Sequence, residues 1–400
     1  MPRPSGSSRK KPRVAAGAGA GADRITALPL ELRAYIASFL PYEQIVQLST
    51  LSRPWLHIHH HTPVVKVSLY GFVSFPGLLD EDAILGLRAA LRRRAQEGGP
   101  KVDTLRLGYF ADDRRMTRHA DRIIALADAR RVCVKTPLRG RGSLNAWALD
   151  LPPAARELEV EADGHLTPAI AGPGAASLQT LYLDDVVLRE WPRLPSLRSL
   201  TLNNVTVEAA FAPGAWCPLL EDLYISDSRI RHAHVDIRLP LLKDLDMDNV
   251  DVRPHDDFFE PFGDITVDAP ALEDLAVSCT VGCTVDYRSF TLRAPQLRYF
   301  GWCCQFVERV DINVGSVTAG TIEFTANAEI GHPEIKCYRT LMMRMLEELL
   351  PELSPEPVAD AARPCMKLEK YTVEGFDSGE MIPEEKLTCD LGALMSSLKV

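Results

Sequence analysis

The chain is short of most features that signal chemistry or membrane residence. No apolar run reaches the ~18 to 20 residues a helix needs to cross a bilayer, although 46% of its 400 residues are hydrophobic. It has neither a phosphate-cradling glycine loop nor a Gly-x-Ser-x-Gly nucleophile elbow. The nine cysteines (Cys133, Cys217, Cys279, Cys283, Cys303, Cys304, Cys337, Cys365 and Cys389) are odd in number and scattered. That spacing builds no disulfide framework, and Val14-Ala15-Ala16 is too weak an apolar core for a secretory signal. Reduced thiols in the nucleus or cytoplasm are expected. Positive charge is also scarce. The net charge is −9 and residues 1–22 contribute +5 to it, so residues 23–400 carry −14. Such a body repels a nucleic-acid backbone. No nucleophile with its base, no cofactor, no nucleic acid and no membrane partner is expected, which leaves protein binding as the class of function.

Residues 1–22 hold Arg3, Arg9, Lys10, Lys11 and Arg13 among alanine and glycine, with no acidic residue. This composition predicts a disordered basic tail. Lys10-Lys11-Pro12-Arg13 has the form of a nuclear import signal, and also that of an ordinary basic cluster.

The segment Asp23 to Pro63 is too apolar for its length. Pro29 suits the start of a helix, where its missing N–H costs nothing. Leu32, Ile36, Phe39 and Leu40 then recur at helical steps up to Pro41. Ile45, Leu48 and Leu51 mark a second helix face, and Ser52-Arg53-Pro54 turns the chain into a third element carrying Trp55 and Leu56. Three short helices in about forty residues cannot bury this surface alone. A partner's groove would complete it.

These residues resemble the F-box: the Leu28-Pro29 opening, Phe39-Leu40-Pro41 at the first helix end, and the Leu51-Ser52-Arg53-Pro54-Trp55 close. The resemblance covers roughly a tenth of the chain. Pro54 departs from it, since family members usually carry a basic residue before the tryptophan. The resemblance implies docking onto the Skp-type adaptor of a cullin–RING ubiquitin ligase through Leu28, Pro29, Leu32, Ile36, Leu40, Ile45, Leu48, Leu51 and Trp55. The alternative is a helical cap on the domain that follows.

From about residue 100 a second pattern recurs: apolar, two others, leucine, one other, apolar. It runs Leu178-x-x-Leu181-x-Leu183, Leu197-x-x-Leu200-x-Leu202, Leu220-x-x-Leu223-x-Ile225, Leu242-x-x-Leu245-x-Met247 and Leu272-x-x-Leu275-x-Val277, with Leu297-x-x-Phe300-x-Trp302 as a looser copy. First positions step by 19, 23, 22, 30 and 25 residues. Weaker copies stand at Val102-Leu105-Leu107, Val132-Val134 and Leu158-Val160. The alternation predicts one short strand per unit with leucines inward, stacked into a solenoid. The pattern resembles the irregular leucine-rich repeats that follow F-boxes in plant proteins. The asparagine expected three residues after the last leucine is replaced by Val186, Val205, Ser228, Val250 and Thr280, which predicts no regular asparagine ladder and an uneven spiral.

Residues between the leucines face the other side of the sheet. From the Leu158 copy to the Leu275 copy, nine of eighteen such positions are acidic and none is basic. Tyr182, Asp184, Asp222, Tyr224, Asp244, Asp246, Asp248 and Asp274 are the candidate target-binding residues, and a basic segment of a protein target is the matching ligand. An ordinary solvated sheet face is the competing account.

His57, His59, His60 and His61 invite a metal, but consecutive histidines diverge and no cysteine or carboxylate follows at ligand spacing. Cys279, Cys283, Cys303 and Cys304 lack zinc-module spacing. No metal is expected. Residues 84–96 read as a helix, with Arg92-Arg93-Arg94 at the end that favours positive charge. Ile335, Tyr338, Leu341, Met342, Met345, Leu346 and Leu349 share a helical face suited to capping an open core, and Met366 to Val373 reads as one more strand.

The expected fold class is thus an α/β repeat: a short all-helical F-box, then an irregular leucine-rich-repeat solenoid with a helical C-terminal cap. Its expected divisions are tail 1–22, F-box 23–63, linker helix 64–100, solenoid 101–330, and cap with tail 331–400. The expected role is a non-catalytic substrate receptor, with an interaction scaffold outside any ligase as the alternative.

Overall fold

The computed structural model describes residues 25–323 except 52, 75–77, 138–146, 164–165, 255–262, 280–286, 304–306 and 316, together with 365–367. The expected C-terminal helix and most of the strand expected at 366–373 lie outside these residues. The solenoid expected from the repeats is present, with about 8 turns and few helices. Its spine is a sheet of 12 strands. All of its pairings are parallel and in register; Leu181, Leu200, Leu223, Leu245, Leu275 and Phe300, for example, stand side by side on successive strands. Along each repeat strand the two apolar positions are buried and those between them are not, as in Ser199–Asn203, Asp222–Ser226 and Asp244–Asp248. A period of two against a shared core produces that alternation.

The sheet starts earlier than residue 101. Val64–Ser68 is its first strand and pairs with Thr104–Gly108. Val65 and Val67 point into the core. The segment 64–100 therefore contributes a strand as well as a helix. Helix α4 here denotes Glu81–Gln96, capped by the Asp80 side chain, which accepts from Ala83 N–H at 3.0 Å. A further helix, α5 (Arg114–Ala127), had no counterpart in the sequence reading. Asp113 caps it, and Met116, Ala120, Ile123, Ile124 and Ala127 form its buried face. From Glu157 to Glu323 the described chain returns between spine strands through short strands and 3-10 turns, with no α-helix. Two further four-stranded sheets line that return path.

An asparagine and aspartate ladder does exist, one residue earlier than the position where it was sought. Asp185, Asn204, Asp227 and Asn249 follow the spine strands with φ of 55°, 51°, 47° and 52°. Asparagine and aspartate tolerate this left-handed region best among residues with a side chain. Each backbone N–H donates to the next spine strand, as Asn204 N–H does to Ser226 O at 3.0 Å. The side chains pair across turns as well: Asn204 Nδ2 donates to Asp185 Oδ1 at 3.1 Å, and Asn249 Nδ2 to Asp227 Oδ1 at 2.7 Å. Next in sequence, Val186, Val205 and Val250 fill the core where an asparagine was expected.

The N-terminal segment forms helices α1 (Leu30–Ala37), α2 (Tyr42–Leu51) and α3 (Ile58–His61), with a 3-10 turn at Arg53–Trp55. Pro29 stands at the α1 N-cap. The Pro41 carbonyl accepts from Gln44 and Ile45 N–H, which starts α2. Ala34, Ala37, Tyr42, Ile45 and Ile58 belong to the same continuous core as the solenoid leucines. The helices thus cover the first strands instead of hanging from a linker.

The corner ladder makes a direct prediction for stability. Asn204→Val should cost about 2 kcal/mol, from left-handed strain plus a lost hydrogen bond, whereas Asn204→Gly should cost markedly less. Urea denaturation of both variants checks this, and equal losses would contradict it.

Candidate functional site: an exposed apolar helix and an acidic strand face

Helix α1 is apolar on both sides, but the sizes are inverted. Its small residues Ala34 and Ala37 face the core, while Leu32, Tyr35 and Phe39 are 51%, 56% and 64% exposed. Ile36, Leu40, Leu56 and Ile25 are exposed as well. Tyr35 and Phe39 meet edge to face with ring centroids 5.3 Å apart. Lys66 Nζ lies 5.5 Å over the Phe39 ring and donates to Phe39 O at 3.4 Å, so the first spine strand braces the end of α1. Arg33 donates to Pro54 O and ties α1 to the turn before Trp55. A contiguous patch of large apolar side chains on a folded surface signals an interaction site.

The expected docking residues divide by position. Leu32, Ile36 and Leu40 are exposed with Pro29, whereas Leu28, Leu48 and Trp55 are half-buried. Ile45 is fully buried in the protein's own core and supports the surface from beneath. The Leu51 side chain lies outside the described residues.

The eight candidate target-binding residues fall on four strands of the spine, Thr180–Asp184, Asp222–Ser226, Asp244–Asp248 and Asp274–Ser278. Register sorts them into columns. Asp222, Asp244 and Asp274 stand in one row, and Tyr224 and Asp246 in the next. In the third row Asn203 Nδ2 donates to Asp184 Oδ1 at 2.8 Å, Ser226 Oγ to Asn203 Oδ1 at 2.8 Å, and Ser278 Oγ to Asp248 Oδ1 at 2.6 Å. Burial and the neighbouring Asp222 carboxylate raise Asp244 above the ordinary aspartate range. Burial raises Asp246, helped by Asp248, and likewise Asp274, helped by Asp244. Stacked carboxylates at strand spacing repel one another, and a cationic ligand relieves that repulsion.

Three glutamates of this face are already matched. Arg130 pairs with Glu157 at 2.7 Å, Arg131 with Glu159 at 2.9 Å, and Lys135 with Glu161. Net negative charge is therefore concentrated from Asp184 to Asp274. Periodicity locates these acids, whereas their cancellation by Arg131 and Lys135 on the preceding strand and Arg130 just before it follows from the register.

Among the described residues, Cys133 and Cys217 are buried and Cys279 and Cys303 half-buried. Burial raises Cys133 to about 11 and Cys217 to about 12, which keeps both as thiols. Cys279 sits on the corner ladder with its Sγ 3.7 Å from Asn249 Oδ1, while Cys283 and Cys304 lie outside the described residues. Among the described residues no helix is long and apolar enough to cross a membrane. In comparisons with known proteins the chain matches no family model, no curated protein and no solved structure.

The raised carboxylates predict a pH signature. A folded-state pKa above the unfolded value means stability that is full at low pH and falls as pH rises through the raised value. Asp246→Asn should remove that loss. Its gain in urea midpoint over the native chain should be larger at pH 7 than at pH 4, and equal gains would contradict the assignment.

Proposed function

We propose that the chain is a substrate-recognition subunit of an SCF-type cullin–RING ubiquitin ligase. The N-terminal segment docks a Skp-type adaptor, and the acidic strand face holds a protein target bearing a basic segment. One observation carries this proposal: α1 packs its alanines inward and leaves its large apolar residues outside, on the very segment that resembles the F-box. A helix face of this kind suits insertion into a partner's apolar groove. The finer assignments belong to the same proposal: an F-box at 23–63, leucine-rich repeats in the solenoid, and a helical cap near the C-terminus.

The conjugation chemistry would belong to other subunits, so this chain is a receptor and not an enzyme. Its contribution is proximity. Holding a target beside the charged conjugating enzyme raises the effective concentration of its lysines. Such a role is carried out in the nucleus or cytoplasm.

A second account has an observation of its own. Ala34, Ala37, Tyr42, Ile45 and Ile58 share the solenoid core, as residues of a plain N-terminal cap on an interaction scaffold would. Co-purification with the adaptor separates the two. Leu32→Asp with Ile36→Asp changes exposed positions only, so it should weaken adaptor binding at least a hundredfold with little change in melting temperature. Failure of the native chain to bind the adaptor would favour the scaffold.

The acidic face is tested independently. Charge reversal of Asp244, Asp246 and Asp248 to lysine should reduce target capture and leave adaptor binding intact. Unchanged capture would remove the acidic face from the proposal.

A further inference from the structure

The histidines after Trp55 end up beside a carboxylate from a distant helix. His57 and His60 are three residues apart around α3, so they share a face even though adjacent histidines diverge. Glu97 follows the last turn of α4 and places its Oε2 2.8 Å from His60 Nδ1. One ligand atom from each of His57, His60 and Glu97 lies within 4.8 Å of the others. We propose that these three residues form a binding site for a divalent ion of the zinc class.

The surroundings hold this arrangement firmly. Arg94 is buried, and its Nη1 donates to His59 O and Thr62 Oγ1, both at 3.1 Å, while its Nη2 donates to Pro100 O at 2.9 Å. These bonds tie the end of α3 to the end of α4, so His60 and Glu97 meet without needing an ion. Gly99 allows the close approach, since a Cβ there would lie 3.0 Å from His60 O.

Two imidazoles and one carboxylate match the borderline ions of the zinc class better than magnesium or calcium, which prefer oxygen throughout. Bonds of about 2 Å in a tetrahedral shell separate ligand atoms by about 3.3 Å. Glu97 therefore has to open slightly from His60, and its side chain, 54% exposed, is free to do so. Water would complete the shell. Arg93 and Arg94 set a positive field that opposes a cation, which makes the Glu97 charge the decisive ligand.

A bound ion would bridge the segment carrying the exposed α1 face to the helix that follows the first spine strand. It would fix the angle between the N-terminal helices and the solenoid. This site stands whether or not the chain docks an adaptor.

The test uses the full chain, purified without a histidine tag, titrated calorimetrically with Zn²⁺, with melting temperature followed in parallel. The native chain should bind about one equivalent and melt higher when loaded, because an ion held by the folded state alone stabilises it. His57→Ala and Glu97→Gln, both at exposed positions, should each weaken binding at least tenfold and abolish the rise, whereas His61→Ala should leave both unchanged. The proposal is overturned if the native chain shows neither binding nor a melting shift. It is overturned equally if either ligand variant binds like the native chain, or if His61→Ala loses as much as they do.

Discussion

A five-residue strand that turns two apolar side chains inward buries almost nothing until another strand lies against it in register. The whole molecule follows from that constraint. Parallel stacking aligns the Leu181 and Leu183 columns over six strands and more, and each added strand closes the core for the one before. Strict register also fixes everything on the opposite side. The same pairing that stacks the leucines stacks Asp222, Asp244 and Asp274, so packing on one face creates electrostatic tension on the other.

Stacking also creates ends, and the N-terminal end explains the helices. Tyr42, Ile45 and Ile58 join the solenoid core, and Lys66 on the first strand reaches the end of α1. Covering this end uses the small residues of α1 and leaves the large ones outside. The core-facing cap and the exposed apolar surface are therefore two faces of one helix, so the proposed docking would not compete with support of the fold.

The repeat strands were legible because a period of two with leucine spacing survives any amount of loop variation. The spine positions from Leu158 to Trp302 are where the pattern put them. Features outside the template were missed. The Val64–Ser68 strand carries Val65 and Val67 where the template has leucines and Thr62 at its first apolar position, and the corner ladder sits one residue before the position the template assigns to asparagine. Helix α5 carries a clear apolar period at Met116, Ala120, Ile123 and Ala127, which lies outside the strand template. For the expected docking residues, the pattern separates apolar from polar but not inside from outside, so it sets fully buried Ile45 beside exposed Leu32. Glu97 beside His60 was beyond reach from spacing, because 36 residues and two packed helices bring them together.

Docking on the outward face of α1 is the step on which the proposed role depends. Amide hydrogen exchange of the full chain with and without a Skp-type adaptor tests it most directly. Slowed exchange is expected across Leu30–Ala37 and the following turn to Pro41, with the strand face from Thr180 to Ser278 unaffected. Unchanged exchange at α1, or protection confined to the strand face, would contradict it.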